Sequence, residues 1–539
     1  MGALKEFDEF EREHEDLKSE RLAVENTWRD VGNYVATSDD MGPIERGGGQ
    51  LPRNRVDVTA RINVQRLGAV LNGYLFNPFS PFFKARLADG KANQEQSRWM
   101  AEVDRIMHAR LTGPRAPFRL AMGLSLYHAA AYGNAPMWIA NKGKRFVSIA
   151  VPVWDAWSAE DPETQLVDTM HRRFRLSAWR AALRYPDNED LQKIASKTPN
   201  LTQTFIQAIG PNPGGVPGSR KLAKPYRETI VWMEGKQVVG HDGYDDFPGA
   251  SMRFYRRSNS AYGYGPGTEI LPAAKLINAR EDNAVQAEEQ NINPTLLDYT
   301  NGAVDGHDRR PGARIPVDGA QFGMMRNGRP MERLFDQIDL RDSHIRVAAL
   351  RDQIAQACYV DWLSPGEGAH VTATFVNDKR DLRMRAMATV VSGMEYDFNQ
   401  IGDRYFNLFQ RAGLIPPPPD SLRGAEIVFD FVSPLALAQE RGQVEQLMGW
   451  LSVAAQAVAF DPSAGRVVDA PEVVRDAARR FNVPEPVIRS AAALAEEAAR
   501  EQDQAERAED AELSQTAATV LRDAGQGAAA LAGAGGAMQ

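Results

Sequence analysis

Apolar residues recur at helical spacing along most of this chain, and one central stretch switches to alternation. In 3–35, Leu17, Leu22, Val24, Trp28 and Val31 make a partial stripe within a segment dense in Glu, Arg and Lys, which predicts a charged helix. Val64, Leu67, Val70, Leu71, Tyr74 and Leu75 predict a helix over 62–75, stopped by Asn77 and Pro78. Two further helices are predicted over 93–111 and 116–132. The period then changes. Strands are predicted at 136–140, 145–151 and 166–176; in the last, Val167, Thr169, His171 and Arg173 alternate with Asp168, Met170, Arg172 and Phe174. A short helix over 179–185, a loop over 211–219, a hairpin of 226–233 with 237–240 and a strand at 252–255 complete the first half.

Two longer helical patterns follow. A glycine-rich approach from Tyr262 ends at Pro272, where proline suits a first helical turn. Residues 273–292 are rich in Ala, Glu, Gln, Leu and Lys and predict a helix roughly 30 Å long, closed by Pro294. In 339–362, Ile345, Ala348, Ala349, Ile354, Ala357 and Cys358 fall near helical spacing. The Gly-, Pro- and Arg-rich insert between them has strand-like pieces at 295–298 and 314–317. Matched helices around a compact insert predict an antiparallel stalk with a small module at its tip. Neither helix has a broad apolar face, so the expectation is packing against copies of the chain and not within a monomer core. Thr374 is the expected N-cap of a long helix reaching Arg411. A proline break at 416–419, a strand at 426–431, helices over 437–494, a charged helix over 495–515 and a disordered Gly/Ala tail from Gly525 are expected after it.

Composition narrows the classes. The 539 residues are 25% charged and 43% hydrophobic, ordinary for a soluble multi-domain protein. A formal charge of −8 lacks the basic signature of a sequence-specific DNA binder. The single cysteine, Cys358, excludes an intrachain disulfide and a Cys-based zinc site; a small buried apolar residue and a catalytic thiol are its two readings. No run of about 18 apolar residues occurs and the N-terminus has no signal-peptide core, so no membrane span is expected. There is no P-loop and no His-Glu-x-x-His. Gly263, Gly265 and Gly267 have the wrong spacing for a dinucleotide site, and His241 to Asp246 reads as a hydrated loop at a hairpin end. Nothing assembles a nucleophile, a base and an orienting group, so no enzyme, cofactor or metal is expected.

Three stretches carry a resemblance. Residues 262–278 (Tyr-Gly-Tyr-Gly-Pro-Gly-Thr-Glu-Ile-Leu-Pro-Ala-Ala-Lys-Leu-Ile-Asn) resemble the segment leading into the first stem helix of portal proteins, in particular the head-to-tail connectors of short-tailed, podovirus-type bacteriophages. Asp57-Val58-Thr59-Ala60, with Asn77-Pro78 and Pro81-Phe82-Phe83, resembles that family's Asp-Ser-Thr-Ala helix ending in Asn-Pro and Pro-Trp-Phe, with Val58 for Ser and Phe82 for Trp. Thr372, Ala373, Thr374 and Val376 match its Met-Thr-Ala-Thr-Glu-Val signature; Phe375 replaces the glutamate, so no role of that carboxylate carries over. Ser433-Pro434-Leu435-Ala436 resembles a further step of the same family.

The resemblance, spanning about 25–500, implies an α+β multi-module portal fold. Its modules would be a wing at 1–260, stem helix 1 at 261–293, a clip at 294–335 and stem helix 2 at 336–363. A channel loop, long helix and return strand would follow at 364–435, a helical crown at 436–494, and a charged helix, with a barrel as one option, and tail at 495–539. It implies a ring of about twelve copies at one capsid vertex of the virion, assembled in the host cytoplasm, as the conduit for packaging and ejection of double-stranded DNA. Twelve copies at −8 each would carry about −96 formally, which discourages DNA from sticking to the channel. Implied partners are the terminase large subunit, tail adaptor and tail tube proteins, and capsid and scaffolding proteins. Lys379, Arg380, Arg383 and Arg385 are the candidate channel contacts with phosphates; a solvated or subunit-pairing helix face is the other reading. Arg309, Arg310, Arg314, Arg326, Arg329 and Arg333 are candidates for partner docking on the clip, or else a solvated basic surface. A tail adaptor or scaffold ring, and a nucleic-acid-processing enzyme with a helical arm, are the alternatives from other classes.

Overall fold

The charged N-terminal helix forms over Gly2–Tyr34 (α1), close to its predicted span. The computed structural model describes residues 2–36, 56–79, 81–88, 93–142, 145–214, 223–298, 310–316, 331–359, 373–425, 427–432 and 448–454, with residues 456, 473, 500 and 504. After α1 come Thr59–Leu75 (α2), Phe83–Leu87 (β1), Gln94–Thr112 (α3), Pro117–Tyr132 (α4), Asn134–Lys142 (β2) and Arg145–Ala150 (β3). Ala156–Glu160 (β4), Val167–Ser177 (β5), Ala178–Arg184 (α5), Glu189–Lys197 (α6), Thr202–Pro211 (β6), Tyr226–Trp232 (β7) and Gln237–Tyr244 (β8) follow. Next are Gly249–Arg253 (β9), Tyr255–Arg257 (β10), Ser260–Tyr264 (β11), Pro266–Glu269 (α7) and Leu271–Ile292 (α8). Leu296–Asp298 (β12), Arg314–Pro316 (β13), Met331–Arg333 (β14), Arg341–Ala357 (α9), Ala373–Arg411 (α10) and Ile427–Phe431 (β15) complete the described elements.

The chain divides into two compact units, Met1–Lys91 with Trp99–Ala436, and Ala92–Arg98 with Leu437–Gln539. The first is a mixture of helices and small sheets. β4 to β8 form an antiparallel meander in sequence order, β3-β2-β9 a three-stranded antiparallel sheet, and β1 pairs antiparallel with β15 from Phe83↔Phe431 to Leu87↔Ile427. The main core gathers α2, α4, β2, β9 and α10 around Phe76, Phe82, Phe83, Phe118, Phe398 and Phe431. Phe82, where the resemblance has Trp, is buried and stacks on Phe118 at 5.6 Å between centroids. In the second unit, 448–454 is helical. The remainder of the predicted crown, the charged helix and the Gly/Ala tail lie outside the described residues, as do Gly47 to Gly49.

Several elements differ from the sequence reading. β6, α6, β4 and β1 had not been predicted. Residues 241–244 belong to strand β8, not to a loop, because Thr229↔His241 and Tyr226↔Tyr244 continue the ladder. The second long helix ends at Ala357, five residues early: Tyr359 has a φ of 56°, which an α-helix does not tolerate, and Trp362 lies outside the described residues. Thr374 lies in the first turn of α10 instead of capping it.

Candidate functional site

The motif at 262–278 is seated backbone against backbone. α4 ends on Gly133, left-handed at φ 82°, and a Cβ there would fall 2.3 Å from the Cα of Tyr264. Three residues on from Tyr264, a Cβ on Gly267 would fall 2.2 Å from the carbonyl oxygen of Ala131. The glycines are therefore explained by close approach to the end of α4, not by a phosphate cradle. Asn134 stitches the seat: the Gly263 N–H donates to its Oδ1 at 2.7 Å, and its Nδ2 donates to Ala261 O at 3.1 Å. Trp28 of α1 donates to the Tyr132 carbonyl at 3.0 Å, and the Tyr262 hydroxyl accepts from Ser158 N at 3.1 Å.

A polar hub then joins the start of α2 to both long helices. Val58, at the N-cap position of α2, makes no capping bond; Asp57 takes over, its Oδ1 accepting from Thr59 N at 2.8 Å. Asn278 of α8 accepts from the N–H groups of both Val56 (2.9 Å) and Asp57 (3.0 Å). Arg351 of α9 donates to Asp57 Oδ2 at 2.8 and 3.1 Å and to Glu281 of α8 at 2.7 Å. Asp57 and Asn278 are buried, so each replaces water by these bonds. Lower down, Leu271, Ala274 and Ile277 of α8 and Ile354 of α9, with Cys358, are buried, as is Val347 one turn to the other side of Arg351. The expectation that neither helix enters the monomer core is thus corrected at their bases: a stripe one residue wide suffices there because α2 and α1 close against it. Burial, then the neighbouring Glu269 charge, pushes the Cys358 thiol up to about 12, which leaves it a neutral packing residue.

α10 is tied into the same unit. Asp397, fully buried, accepts from Arg253 N at 3.0 Å and from Arg256 Nη2 at 2.5 Å, while the Arg253 guanidinium also meets Glu160. Burial pushes the Asp397 carboxyl up to about 6 against the pull of Arg256 and Arg253. Arg404 of α10 donates to Ile139 O at 3.2 Å and pairs with Asp246 at 2.7 Å.

At the outer end, Asn291 of α8 exchanges two 3.0 Å hydrogen bonds with the backbone of Ile338. With Arg351–Glu281 midway, this makes α8 and α9 antiparallel neighbours. The insert is a three-stranded sheet of order β13-β12-β14, parallel on one side and antiparallel on the other. Leu296 pairs with Arg314 on one side and Arg333 on the other, so these two arginines share a register about 9–10 Å apart, and both are exposed. Arg310 is also exposed, and its carbonyl accepts from the Thr295 hydroxyl at 2.9 Å. Arg309, Arg326 and Arg329 lie outside the described residues. Lys379, Arg380, Arg383 and Arg385 lie on the backbone of α10, with side chains outside the described residues. The hub residues Asn278, Glu281 and Arg351 were not singled out as a site from sequence; only Asp57 next to Thr59 carried a local signal, that of a helix start. Among the described residues no helix is long and apolar enough to cross a membrane.

Comparisons with known proteins show the family of the chain. A family profile described as "Bacteriophage head to tail connecting protein" matches residues 8–488. A "Probable portal protein" of Bordetella phage BPP-1 is 22% identical over 471 residues, covering 81% of this chain and 81% of that one. The portal protein of Salmonella phage epsilon15 is 20% identical over 487 residues, covering 85% and 84%. Among solved structures, the neck of an empty gene transfer agent particle aligns with a TM-score of 0.34 at 12% identity, covering 73% of this chain and 86% of that one. The neck of the native particle aligns at 0.33, with the same identity and coverage. The profile match takes in most of the chain: it belongs to the bacteriophage head-to-tail connecting proteins, the phage portals. It is a structural component of the virion's head-to-tail junction, in a family that is structural and not enzymatic.

Proposed function

We propose that about twelve copies close into a ring at one capsid vertex, through which double-stranded DNA enters during packaging and leaves at infection. The observation that carries this reading is the antiparallel α8–α9 pair, held to the start of α2 by Asp57, Asn278, Glu281 and Arg351 and bearing a small sheet at its outer end, in a chain of the portal family. In this reading α8 and α9 are the stem, 294–335 the clip, 1–260 the wing, 364–435 the channel loop with its long helix and return strand, 436–494 the crown, and 495–539 the charged end. The clip arginines dock the terminase large subunit and later tail adaptors; capsid and scaffolding proteins meet the outside of the ring. Lys379, Arg380, Arg383 and Arg385 touch phosphates transiently, with the ring's net negative charge keeping the contacts weak.

The test is native mass spectrometry with class-averaged electron microscopy of the full chain. The expected result is a ring with a central hole near twelve times 59.6 kDa, about 715 kDa. A neighbouring ring size changes only the symmetry. A stable monomer at high concentration, with no ring on adding scaffold protein, refutes the reading. For the channel contacts, reversing charge at Arg380, Arg383 and Arg385 together is expected to impair packaging or DNA retention; unchanged packaging and retention refute that assignment.

A further inference from the structure

The five-stranded sheet is covered by different elements on its two faces. Neighbouring strand residues divide between them: Ile206 and Val231 pack with Phe7 and Phe10 of α1, while Phe205 and Trp232 pack with Ala181 and Leu191 of the α5–α6 pair. Each covering layer leaves a surface of its own character. α5 buries Ala178, Ala181 and Ala182 against the sheet and turns Trp179 and Leu183, four residues apart, outward at 46% and 79% exposure. Arg180 and Arg184 flank them, both exposed, and the Arg180 guanidinium lies 5.1 Å from the Trp179 ring. Neither arginine pairs with a carboxylate among the described residues.

On the other face, α1 and the strands line a half-open cavity of about 370 Å³. Phe10 supplies its apolar wall, and Glu6, Glu9 and Glu13 its charge. Arg227, 3.2 Å from Glu13, and His241, 3.5 Å from Glu6, also line it. Glu9 is exposed and has no ion pair among the described residues.

We propose that these surfaces are the two halves of one contact between successive copies of the chain: Trp179 and Leu183 of one copy enter the cavity of the next, with Arg180 and Arg184 set against Glu6 and Glu9. The proposal rests on the ring reading. A closed ring joins two different surfaces of each copy, and in a large ring these lie on nearly opposite sides. Opposite faces of one sheet meet that requirement. An exposed Trp beside Arg is the composition of an interface anchor, and charges of opposite sign across the contact fix its register. A symmetric dimer through α5 would oppose arginine to arginine, so the same charges disfavour a two-fold pairing.

The experiment uses the full chain. The double variant Trp179→Cys/Glu9→Cys, with buried Cys358 left in place, is assembled, oxidised and run on a denaturing gel; a ladder of cross-linked copies is expected, with none from either single variant. In parallel, Arg180→Glu/Arg184→Glu is expected to raise the concentration at which rings half-dissociate at least tenfold. Adding Glu6→Arg/Glu9→Arg is expected to bring it back to within about threefold of the unaltered chain. All these positions are exposed, and far-UV circular dichroism verifies that each variant folds. Rings that form normally in every variant, with no ladder, overturn the contact and leave the ring reading standing. No ring from the unaltered chain refutes the ring reading, and this contact with it.

Discussion

The two ends of the α8–α9 pair are built from similar sequence and treated oppositely by the fold. At the base, Leu271, Ala274, Ile277 and Ile354 are buried, and a four-residue polar hub above them holds both helices to the start of α2. Toward the insert, Val285, Ile292, Ile338 and Ile345 stay exposed, Ile292 at 84%. Burial persists about one turn past Arg351, at Val347 and Ala284, and Arg351 itself bonds buried Asp57 on one side and the more accessible Glu281 on the other. One helix pair is thus a monomer element at one end and an unfinished surface at the other. In the ring reading, neighbouring copies finish it.

The largest effect is expected from breaking the lock. Arg351→Met leaves the buried Asp57 carboxylate without its counter-charge and should cost about 3 kcal/mol of monomer stability in urea unfolding. A cost under about 0.5 kcal/mol would mean that the base is not held by the hub. Gly267→Ala sets a Cβ against the Ala131 carbonyl, and since backbone meets backbone the loss should be about 2 kcal/mol by the same measurement.

A third perturbation acts elsewhere and isolates the contrast. His14 of α1 is buried 3.1 Å from His171, and burial, then the His171 charge, holds it down at about 3. Its contribution to stability is fully present above the unfolded value near 6.5 and is lost as pH falls from there toward 3, because the unfolded chain takes up a proton that the folded one refuses. Between pH 8 and 5 the loss should be about 2 kcal/mol, read as the difference in pH dependence between the unaltered chain and His14→Gln. Hydrogen exchange should show α1 loosening with α8 and α9 unchanged relative to each other.

The smallest effect is expected at the outer end. Ile292→Ser or Ile345→Ser should move monomer stability by no more than about 0.5 kcal/mol, since little apolar contact is lost. The same substitutions should destabilise assembled rings. If they unfold the monomer as readily as Arg351→Met, the two ends do not differ.

Legibility followed how local each signal was. α2, α8 and the span of α10 were readable because periodicity, Pro272 and Asn77-Pro78 all act within a few turns. β6 was missed because both its faces are covered: Thr202 to Gly210 lacks the alternation of a half-exposed strand, and its mixed residues fit no helix either. α6 is short and polar, announced only by Asn188, which accepts from Leu191 N at 3.0 Å. β1 had no visible partner, since β15 lies more than three hundred residues away. The candidate basic residues were legible as composition. Of them, the fold brings Arg314 and Arg333 to one register through a strand, β12, that lies between them in the sheet and before both in the chain.

What the residues settled on their own was the identity and order of the long helices and the family resemblance, because helix periodicity, proline stops and glycine-dense motifs are properties of short windows. What required the folded chain was every long-range pairing: Asp57 with Arg351, Arg253 and Arg256 with Asp397, and acidic and basic surfaces set on opposite faces of one sheet. A buried charge acquires its partner only when distant segments converge to exclude water, and no spacing in the sequence encodes that convergence.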